Sequence, residues 1–446
     1  MDSVFLARIQ FALTIGFHYI FPPLTIGLSW LIVWFMTKYK NTGEDRYREI
    51  SYFWLKIFGL SFVIGVATGI TMEFQFGTNW SEYSRFVGDI FGAPLAAEGI
   101  FAFFLESTFL SILLLGWNRI SVKVHWFSSI MVAFGSTLSG FWIIVANSWQ
   151  QTPAGYKLVN NRAELTDFWA AVFNPSTMPR FLHSIDGALM TGAFFMLGIS
   201  AWQILKGLRV DLAKETMKVS LILALVSSII QFGLGHYHAV QVTKTQPEKL
   251  AAFEGVFETQ RRAPALIFGI PDAEGEKMNL AVRIPGLLSL MAHGDINAEI
   301  KGLKDFPKDE WPPLEITFYT FHMMVGLGTF FFALAAFGLF LLYKGKLYDN
   351  KLFLNIAFWT IPLSFIANQL GWISAEVGRQ PWIVYHILKT SDAVSVSVPP
   401  FQILLTIILF LIIYSGLFFV WIFLLRHELH SLKLSKPAVD EKGGNA

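Results

Sequence analysis

Nine long apolar segments recur along the chain and constrain its fold more than any other feature. Each can cross about 30 Å of hydrocarbon as a helix that rises about 1.5 Å per residue. Hydrophobic residues make up 54% of the 446 residues and charged residues only 15%, and the mean hydropathy is +0.51, values outside the soluble globular range. The sequence predicts an all-α, polytopic integral membrane bundle of about nine transmembrane helices. The segments cover approximately 9–36, 52–75, 92–116, 124–148, 181–206, 218–241, 315–343, 352–371 and 401–426.

One large polar insertion, rich in charge, proline and glycine, separates the sixth segment from the seventh. We therefore divide the chain into residues 1–241 with six helices, a loop at 242–314, and residues 315–446 with three helices and a tail. Pro22 and Pro23 follow His18 in the first segment, which predicts a kinked first helix because proline removes a backbone donor.

Lysine and arginine in the short loops predict the orientation. The apolar run from Phe11 is too long for a cleavable signal peptide. Loops after the second and eighth segments hold few basic residues (Arg85; Arg379 and Lys389), so the N-terminus and the large loop are predicted outside and the C-terminus in the cytoplasm. The basic residues on the predicted inner side are Lys38, Lys40, Arg46, Arg48, Arg119, Lys123, Lys206, Arg209, Lys214, Lys218, Lys344, Lys346, Lys351, Arg426, Lys433, Lys436 and Lys442.

The chain has no cysteine and a net charge of +2. Disulfides, iron–sulfur clusters and thiolate-ligated haem are therefore excluded within this chain, and any metal must be held by histidine, methionine or carboxylate. The small net charge gives no reason to expect nucleic acid as a partner.

Two glutamates lie in the third apolar segment. Glu98 and Glu106 are eight residues apart, which is about 80° around and about 12 Å along an α-helix. Carboxylates are expensive to bury in a membrane, so a proton path or a metal contact is favoured over a bystander role. Ser139 and Asn147 on the fourth segment are either their companions or ordinary helix–helix hydrogen-bonding groups.

Histidine and methionine supply the other candidate ligands. His18 in the first segment and His183 in the fifth are each compatible with a ligand or with a hydrogen-bonded core histidine. Met324 in the seventh is compatible with a haem ligand or with core packing. With Glu98 and Glu376 they lie within about three turns of the predicted outer ends of their segments, which predicts a cofactor layer near the outer surface.

The stretch Gly371–Trp382 reads Gly-Trp-Ile-Ser-Ala-Glu-Val-Gly-Arg-Gln-Pro-Trp. It brings Glu376 and Arg379 to the membrane boundary between Trp372 and Trp382. This pattern predicts a polar site facing an anion or a metal; the alternative is an aromatic belt with an interfacial arginine.

The run Gly378–Trp382 resembles the signature of subunit I of the cytochrome bd-type quinol oxidases. The match continues in order through His18, the glutamate pair, His183 and Met324, and through Lys249 and Glu254 in the large loop. The resemblance implies a terminal oxidase subunit that oxidises quinol outside and reduces O2 to water, generating a proton motive force without pumping.

The resemblance also implies the role of each matching residue. His183 and Met324 would ligate a low-spin b-type haem, a pair typical of electron transfer. His18, Glu98 and Glu376 would hold a di-haem site with a high-spin haem b and a haem d, the latter replaced by haem b in some relatives. Further roles would be proton delivery from the cytoplasm by Glu106, quinol oxidation by Lys249 and Glu254, and support of propionates and electron transfer by Arg379 and Trp372.

The resemblance implies a bacterial cytoplasmic membrane location and a heterodimer with a second cytochrome bd membrane subunit; it leaves open a small single-helix subunit. Ubiquinol and menaquinol are both compatible with the sequence. His322 stands where an arginine is common in the family, so it is either a propionate partner or a competing ligand, as is Met323. His236 and His238 have no assigned role.

Three other classes compete with this interpretation. A haem-copper oxidase requires clustered histidines, whereas the ten histidines here are scattered. A cofactor-free proton-coupled transporter explains buried carboxylates but not the layer of His, Met and Glu. A structural membrane subunit leaves the buried charges unexplained.

Overall fold

The computed structural model describes residues 2–434 of the chain, and long helices dominate it. The helices are α1 (Ser3–His18), α2 (Phe21–Thr42), α3 (Asp45–Thr78), α4 (Ser81–Ala97), α5 (Phe104–Leu115), α6 (Val122–Gln151), α7 (Phe168–Val172), α8 (Thr177–Lys206), α9 (Val210–Thr245), α10 (Pro247–Glu254), α11 (Leu287–His293), α12 (Leu314–Tyr343), α13 (Lys351–Val377) and α14 (Pro400–Leu434).

Eight short strands lie in the loops and pair as four antiparallel two-stranded sheets: β1 with β2, β3 with β6, β4 with β5 and β7 with β8. They are β1 (Tyr156–Val159), β2 (Arg162–Leu165), β3 (Gln260–Arg261), β4 (Ala265–Asp272), β5 (Lys277–Ile284), β6 (Glu299–Ile300), β7 (Trp382–Val384) and β8 (Leu388–Lys389).

Nine helical segments within residues 2–434 are long and apolar enough to cross a bilayer. Each overlaps one predicted segment, so the predicted helical membrane fold is confirmed. Lys436 and Lys442, which belong to the predicted inner charge pattern, lie outside the described residues. The spans are Ser3–Thr42, Asp45–Thr78, Ser81–Leu115, Val122–Gln151, Thr177–Lys206, Val210–Thr245, Leu314–Tyr343, Lys351–Val377 and Pro400–His430.

The first span is interrupted directly after His18, as the prolines predict. Helix α1 ends at His18 and α2 begins at Phe21, with proline in its first positions. Proline is tolerated there because the first amides of a helix have no intrahelical acceptor. The break leaves the candidate ligand His18 at a helix end.

The third span contains a π-helical turn, Glu98–Phe103, between α4 and α5. It follows Pro94, which lies inside α4 and lacks a backbone donor. The predicted separation of about 80° between Glu98 and Glu106 is therefore wrong. One extra residue in a π turn leaves about seven α-helical steps between them, which aligns the two carboxylates to within about 20°.

Helices α2 and α8 cross in backbone contact at two glycines. A Cβ added to Gly27 would lie 2.3 Å from the Ala188 carbonyl oxygen, and one added to Gly192 would lie 2.5 Å from the Gly27 carbonyl carbon. Small residues permit this close approach between membrane helices. Each glycine follows a candidate ligand, His18 or His183, by nine residues, so the crossing holds the two ligand-bearing segments at related depths.

The loops predicted to be outside contact one another, which places them on one side of the bundle. Ser395 of the last loop donates from its backbone amide to the Asn79 carbonyl, and Tyr385 donates likewise to Gln150. The loop between α6 and α8 belongs to the same side, because Arg162 donates to the Arg85 carbonyl. Its exposed Lys157 and Arg162 weaken the predicted charge asymmetry.

The large loop has its own small hydrophobic core. Between the end of α9 at Thr245 and the start of α12 at Leu314, helices α10 and α11 and strands β3–β6 surround it. This core orients α10, which carries Lys249 and Glu254. Its buried residues include Leu250, Ala252, Val256, Phe257, Leu288, Ile300 and Leu303.

Candidate functional site

A buried charge cluster forms where α13 ends. The Glu376 carboxylate accepts hydrogen bonds from Arg379 Nη2 at 2.5 Å, Arg180 Nη2 at 3.5 Å and Gln151 Nε2 at 3.2 Å. Arg180 and Arg379 are buried, so two guanidinium groups offset the charge of one carboxylate in a region of low dielectric constant. Arg379 also donates to the Ile383 carbonyl, which fixes the turn that follows α13.

Lys249 reaches this cluster from the large loop. Its Nζ donates to Gln151 Oε1 at 2.9 Å and to Gln246 Oε1 at 3.3 Å. Burial, and then the nearby charge of Arg180, holds the pKa of Lys249 well below its usual range. A Cβ at Gly378 would lie 3.1 Å from Lys249 Cε, so the glycine of the sequence signature makes room for the lysine stem.

Glu254, at the end of α10, faces away from Lys249. Five residues on a helix separate two side chains by about 140°, and no ion pair joins this pair among the described residues. Burial raises the pKa of Glu254 to about 7, although a hydrogen bond from the Leu266 backbone amide opposes the shift. The two residues therefore present separate proton-binding groups on opposite faces of α10.

Helix α6 contacts both membrane glutamates of the third span. Ser139 Oγ donates to Glu98 Oε1 at 2.7 Å, and Ser136 Oγ donates to Glu106 Oε1. Glu106 is buried. Since the two serines are three residues apart, they lie about 4.5 Å apart along α6, and the carboxylates form a short column against one helix.

Ser139 thus hydrogen-bonds Glu98 between two helices, a contact that both predicted alternatives share. Asn147, the other candidate on α6, instead accepts a hydrogen bond from Arg180 and belongs to the Glu376 cluster.

The three candidate axial ligands each lie against a glycine. An added Cβ would be 3.1 Å from His18 Cε1 at Gly69, and 3.5 Å from His183 Cε1 at Gly235. At Gly371 it would be 2.8 Å from Met324 Sδ. These glycines, on α3, α9 and α13, leave out the Cβ that would crowd each ring or thioether. His18 Nδ1 also lies 3.0 Å from Thr68 Oγ1.

This donor set fits haem. His183 Nδ1 is buried without a hydrogen-bond partner, which leaves an unused nitrogen donor inside the bundle. Imidazole, thioether and carboxylate are suitable protein ligands for iron. Among the described residues no three His, Asp or Glu side chains gather as the cage of a bare metal ion, whereas single ligands on separate helices would suit a haem.

The predicted common depth is only partly correct. His183, Met324 and Glu376 lie within three turns of the ends of α8, α12 and α13. His18 and Glu98 lie farther from their helix starts, because α1 begins at Ser3 and α4 at Ser81, well before the apolar segments. Polar residues such as Arg8 and Glu82 extend these helices beyond the segments that hydropathy detects.

Each ring nitrogen of His322 lies near a backbone carbonyl oxygen, Nδ1 at 3.0 Å from Phe318 and Nε2 at 3.1 Å from Leu266, and the neutral ring donates to one of the two. His322 is therefore not a free competing ligand. Met323 is exposed, whereas Met324 is partly buried. Trp372 lies partly buried on α13, one turn before Glu376. His236 is exposed, and the His238 ring lies 5.7 Å from the His183 ring.

Sequence reasoning missed Arg180, Gln151 and Gln246 of the Glu376 cluster, and Ser136 beside Glu106. An arginine at the start of an apolar segment, three residues before His183, was a detectable signal, because a buried arginine needs a carboxylate partner. Glutamines at helix ends carry no comparable signal. Glu248 was also missed; it is buried and accepts a hydrogen bond from Tyr385.

Residues 6–432 match the family described as "Cytochrome bd terminal oxidase subunit I". The "Cytochrome bd ubiquinol oxidase subunit 1" of Bacillus subtilis (strain 168) is 40% identical over 439 residues, covering 96% of this chain and 94% of that protein. The "Cytochrome bd-II ubiquinol oxidase subunit 1" of Escherichia coli (strain K12) is 35% identical over 460 residues, covering 88% and 90%.

The solved bd oxidase structure from Geobacillus thermodenitrificans superposes with a TM-score of 0.91 at 31% identity, over 96% of this chain and 99% of that one. Agreement in sequence and fold over nearly the whole length confirms the resemblance that the motifs indicated. The chain belongs to the cytochrome bd terminal oxidase subunit I family.

Proposed function

We propose that the chain is the haem-bearing catalytic subunit of an electrogenic quinol:oxygen oxidoreductase. As a subunit I it belongs to a multi-subunit oxidase of a bacterial respiratory membrane. Quinol is oxidised on the outer side and O2 is reduced to water inside the bundle, with protons taken from the cytoplasm. Charge separation then follows because protons are released on the outer side and taken up from the cytoplasm, so no pump is needed.

The observation that carries this proposal is a continuous hydrogen-bonded connection from the large loop to the end of α13. Lys249 Nζ contacts Gln151 Oε1 at 2.9 Å, and Gln151 Nε2 contacts Glu376 Oε1 at 3.2 Å. A loop residue is thereby linked to a carboxylate on a membrane helix. This arrangement suits coupling of a substrate at the loop, residues 242–314, to a redox centre below it.

The loop residues bind quinol and accept its protons. Glu254 has a pKa of about 7, which lets it take a hydroxyl proton and return it to outer water near neutral pH. Lys249, whose pKa is held well below its usual range, changes protonation more readily than an exposed lysine and orients a quinol oxygen. Arg379 and Trp372 act beside it as propionate and electron-transfer supports.

His183 and Met324 would hold a low-spin haem b, and His18, Glu98 and Glu376 would hold a di-haem site. That site would take a high-spin haem b and a haem d, or a haem b in place of the haem d. When bound, the haems supply one-electron transfer and oxygen reduction.

The column on α6 delivers protons. Glu106 holds a proton against Ser136, and Glu98 holds one against Ser139 nearer the outer side. The two serines that contact these acids are about 4.5 Å apart along α6, so polar groups of one helix face both carboxylates and can carry a proton between them together with bound water. This path keeps the protons consumed in O2 reduction, which come from the cytoplasm, separate from the quinol protons released at Glu254.

We place the N-terminus and the 242–314 loop outside and the C-terminus in the cytoplasm. The partner is a second cytochrome bd membrane subunit, which completes the heterodimer; a small single-helix subunit is compatible with this assembly.

The test is a reduced-minus-oxidised absorption spectrum of the purified complex with haem extraction, followed by quinol-dependent oxygen uptake. Chlorin bands beside b-type bands would assign oxygen chemistry to haem d, and b-type bands alone would assign it to haem b. Absence of haem from a well-folded complex would refute the proposal. Lys249→Met should lower quinol-dependent uptake, whereas the exposed control Lys277→Met should not.

A further inference from the structure

The hairpin β4–β5 in the large loop exposes an unusual amount of apolar surface. Six of its aliphatic and aromatic side chains are between 38% and 76% exposed. Bulges in the pairing at Leu266–Phe268 and Phe268–Ile270 rotate β4 so that neighbouring apolar residues both remain uncovered. We call this set the apolar hairpin patch: Ile267, Phe268, Ile270, Leu280, Val282 and Ile284.

The opposite side of the hairpin is attached to α12. His322 Nε2 lies 3.1 Å from the Leu266 carbonyl oxygen, and a Cβ at Gly269 would lie 3.7 Å from Phe318 Cζ. The buried residues Leu266 and Gly269 therefore face the helix, and the patch faces outward from the protein.

The attachment point gives the depth of the hairpin. His322 is eight residues beyond the start of α12 at Leu314, so it lies about 12 Å along the helix. A helix needs about 20 residues to cross about 30 Å of hydrocarbon. Counted back from Tyr343 at the inner end of α12, these residues reach the vicinity of Met324. Leu266 is consequently level with the boundary between hydrocarbon and headgroups.

Two further features suit that boundary. Val325, which is exposed, lies about one turn beyond His322 on the same face of α12 and continues the apolar surface onto a membrane span. Exposed Arg262 and Arg283 stand at the base of the hairpin, where they can contact lipid phosphates. The edges of an isolated two-stranded hairpin carry unpaired backbone N–H and C=O groups that need hydrogen bonds from water or lipid headgroups. The hairpin therefore cannot lie in the centre of the hydrocarbon.

We propose that the apolar hairpin patch is a lipid-binding surface seated in the outer interface of the bilayer. A contiguous exposed apolar patch usually marks a site that binds a partner protein, a ligand or a membrane. Here depth, continuity with α12 and basic flanks identify lipid as the occupant. Leu266 also hydrogen-bonds Glu254 through its amide, so the lipid-seated strand adjoins the candidate proton acceptor of the loop.

Site-specific fluorescence tests this proposal without measuring turnover. Because the chain has no cysteine, Val282→Cys provides a single labelling site in this subunit for a bimane probe. Ile270→Cys is a second patch position. Glu274→Cys, in the exposed turn of the same hairpin, is the matched control, and the unsubstituted complex treated with the probe gives the background.

The purified complex is reconstituted in vesicles of phosphatidylethanolamine and phosphatidylglycerol, with or without a nitroxide on the acyl chain near the headgroup. We expect patch labels to lose most of their fluorescence to the nitroxide lipid and little to aqueous iodide. The Glu274→Cys label should show the reverse.

Patch labels quenched by iodide and not by the lipid would place the hairpin in water and overturn the proposal. Patch labels quenched by neither would show that a protein partner covers the patch, which would overturn it equally. Quinol turnover is not a readout, so failure here would leave the proposed oxidase function unaffected.

Discussion

The crossing of α2 and α8 at Gly27 and Gly192 makes a quantitative prediction. In Gly192→Ala the new Cβ would lie 2.5 Å from the Gly27 carbonyl carbon and 2.6 Å from its Cα, whereas carbon atoms normally approach to about 3.5–4.0 Å. The helices would have to separate by about 1 Å. Overpacking of this kind costs about 1–3 kcal/mol, and here backbone rather than a flexible side chain must move.

The assay is thermal melting of the purified complex in detergent, with haem content per protein as a second readout. Gly233→Ala on α9 is the matched control, because a Cβ there meets nothing within 4 Å and alanine is favoured over glycine in a helix by up to about 1 kcal/mol. We expect Gly192→Ala to melt below the wild type and to bind less haem, since His18 and His183 lie nine residues from the crossing. Equal melting temperatures of Gly192→Ala and the wild type would refute the reasoning.

Three more predictions concern the charged residues. The pKa of Glu254 rises from 4.5 to about 7 on folding, so stability fully present below pH 4.5 should fall as pH rises through 7, by at most about 3 kcal/mol. Melting scans across that range should show the loss, and Glu254→Gln should abolish it. Ser136→Ala removes the donor to Glu106, which we expect to slow oxygen uptake at unchanged haem content; an unchanged rate would contradict the proton path. Arg180→Gln removes one of the two guanidinium groups on the buried Glu376 and leaves the carboxylate paired with Arg379. It should destabilise the complex by about 1.5–3 kcal/mol, the range for a lost hydrogen bond to a charged group, more than Arg85→Gln at the exposed pair with Glu82.

The sequence was sufficient for the fold because hydropathy over some 20 residues reports directly on membrane spans. It also predicted the helix break after His18, since proline acts locally. The angle between Glu98 and Glu106 was predicted wrongly because a π turn has no simple sequence signal. Pro94 indicates that the helix is irregular, but not where the extra residue lies.

In the candidate site, too, local features could be predicted from the sequence and tertiary contacts could not. Glu376 and Arg379 are three residues apart in one motif and were found together, and the structure joins them by a hydrogen bond. Their partners Arg180 and Gln151 come from other helices, and only tertiary packing brings them within reach. The charge pattern alone suggested that Lys249 and Glu254 act together. That their side chains point in opposite directions could be seen only from the structure, which shows that both lie on helix α10 and that this helix ends at Glu254.

Helix α6 touches three carboxylates at three levels: Glu106 through Ser136, Glu98 through Ser139 and Glu376 through Gln151. The vertical spacing of these three contact positions is set by covalent distances within one helix, about 4.5 Å and then about 18 Å. Substitutions at the individual contact positions would adjust the acids one at a time. An inserted residue between Ser139 and Gln151 would instead change the register of the outer acid alone, relative to the two inner ones.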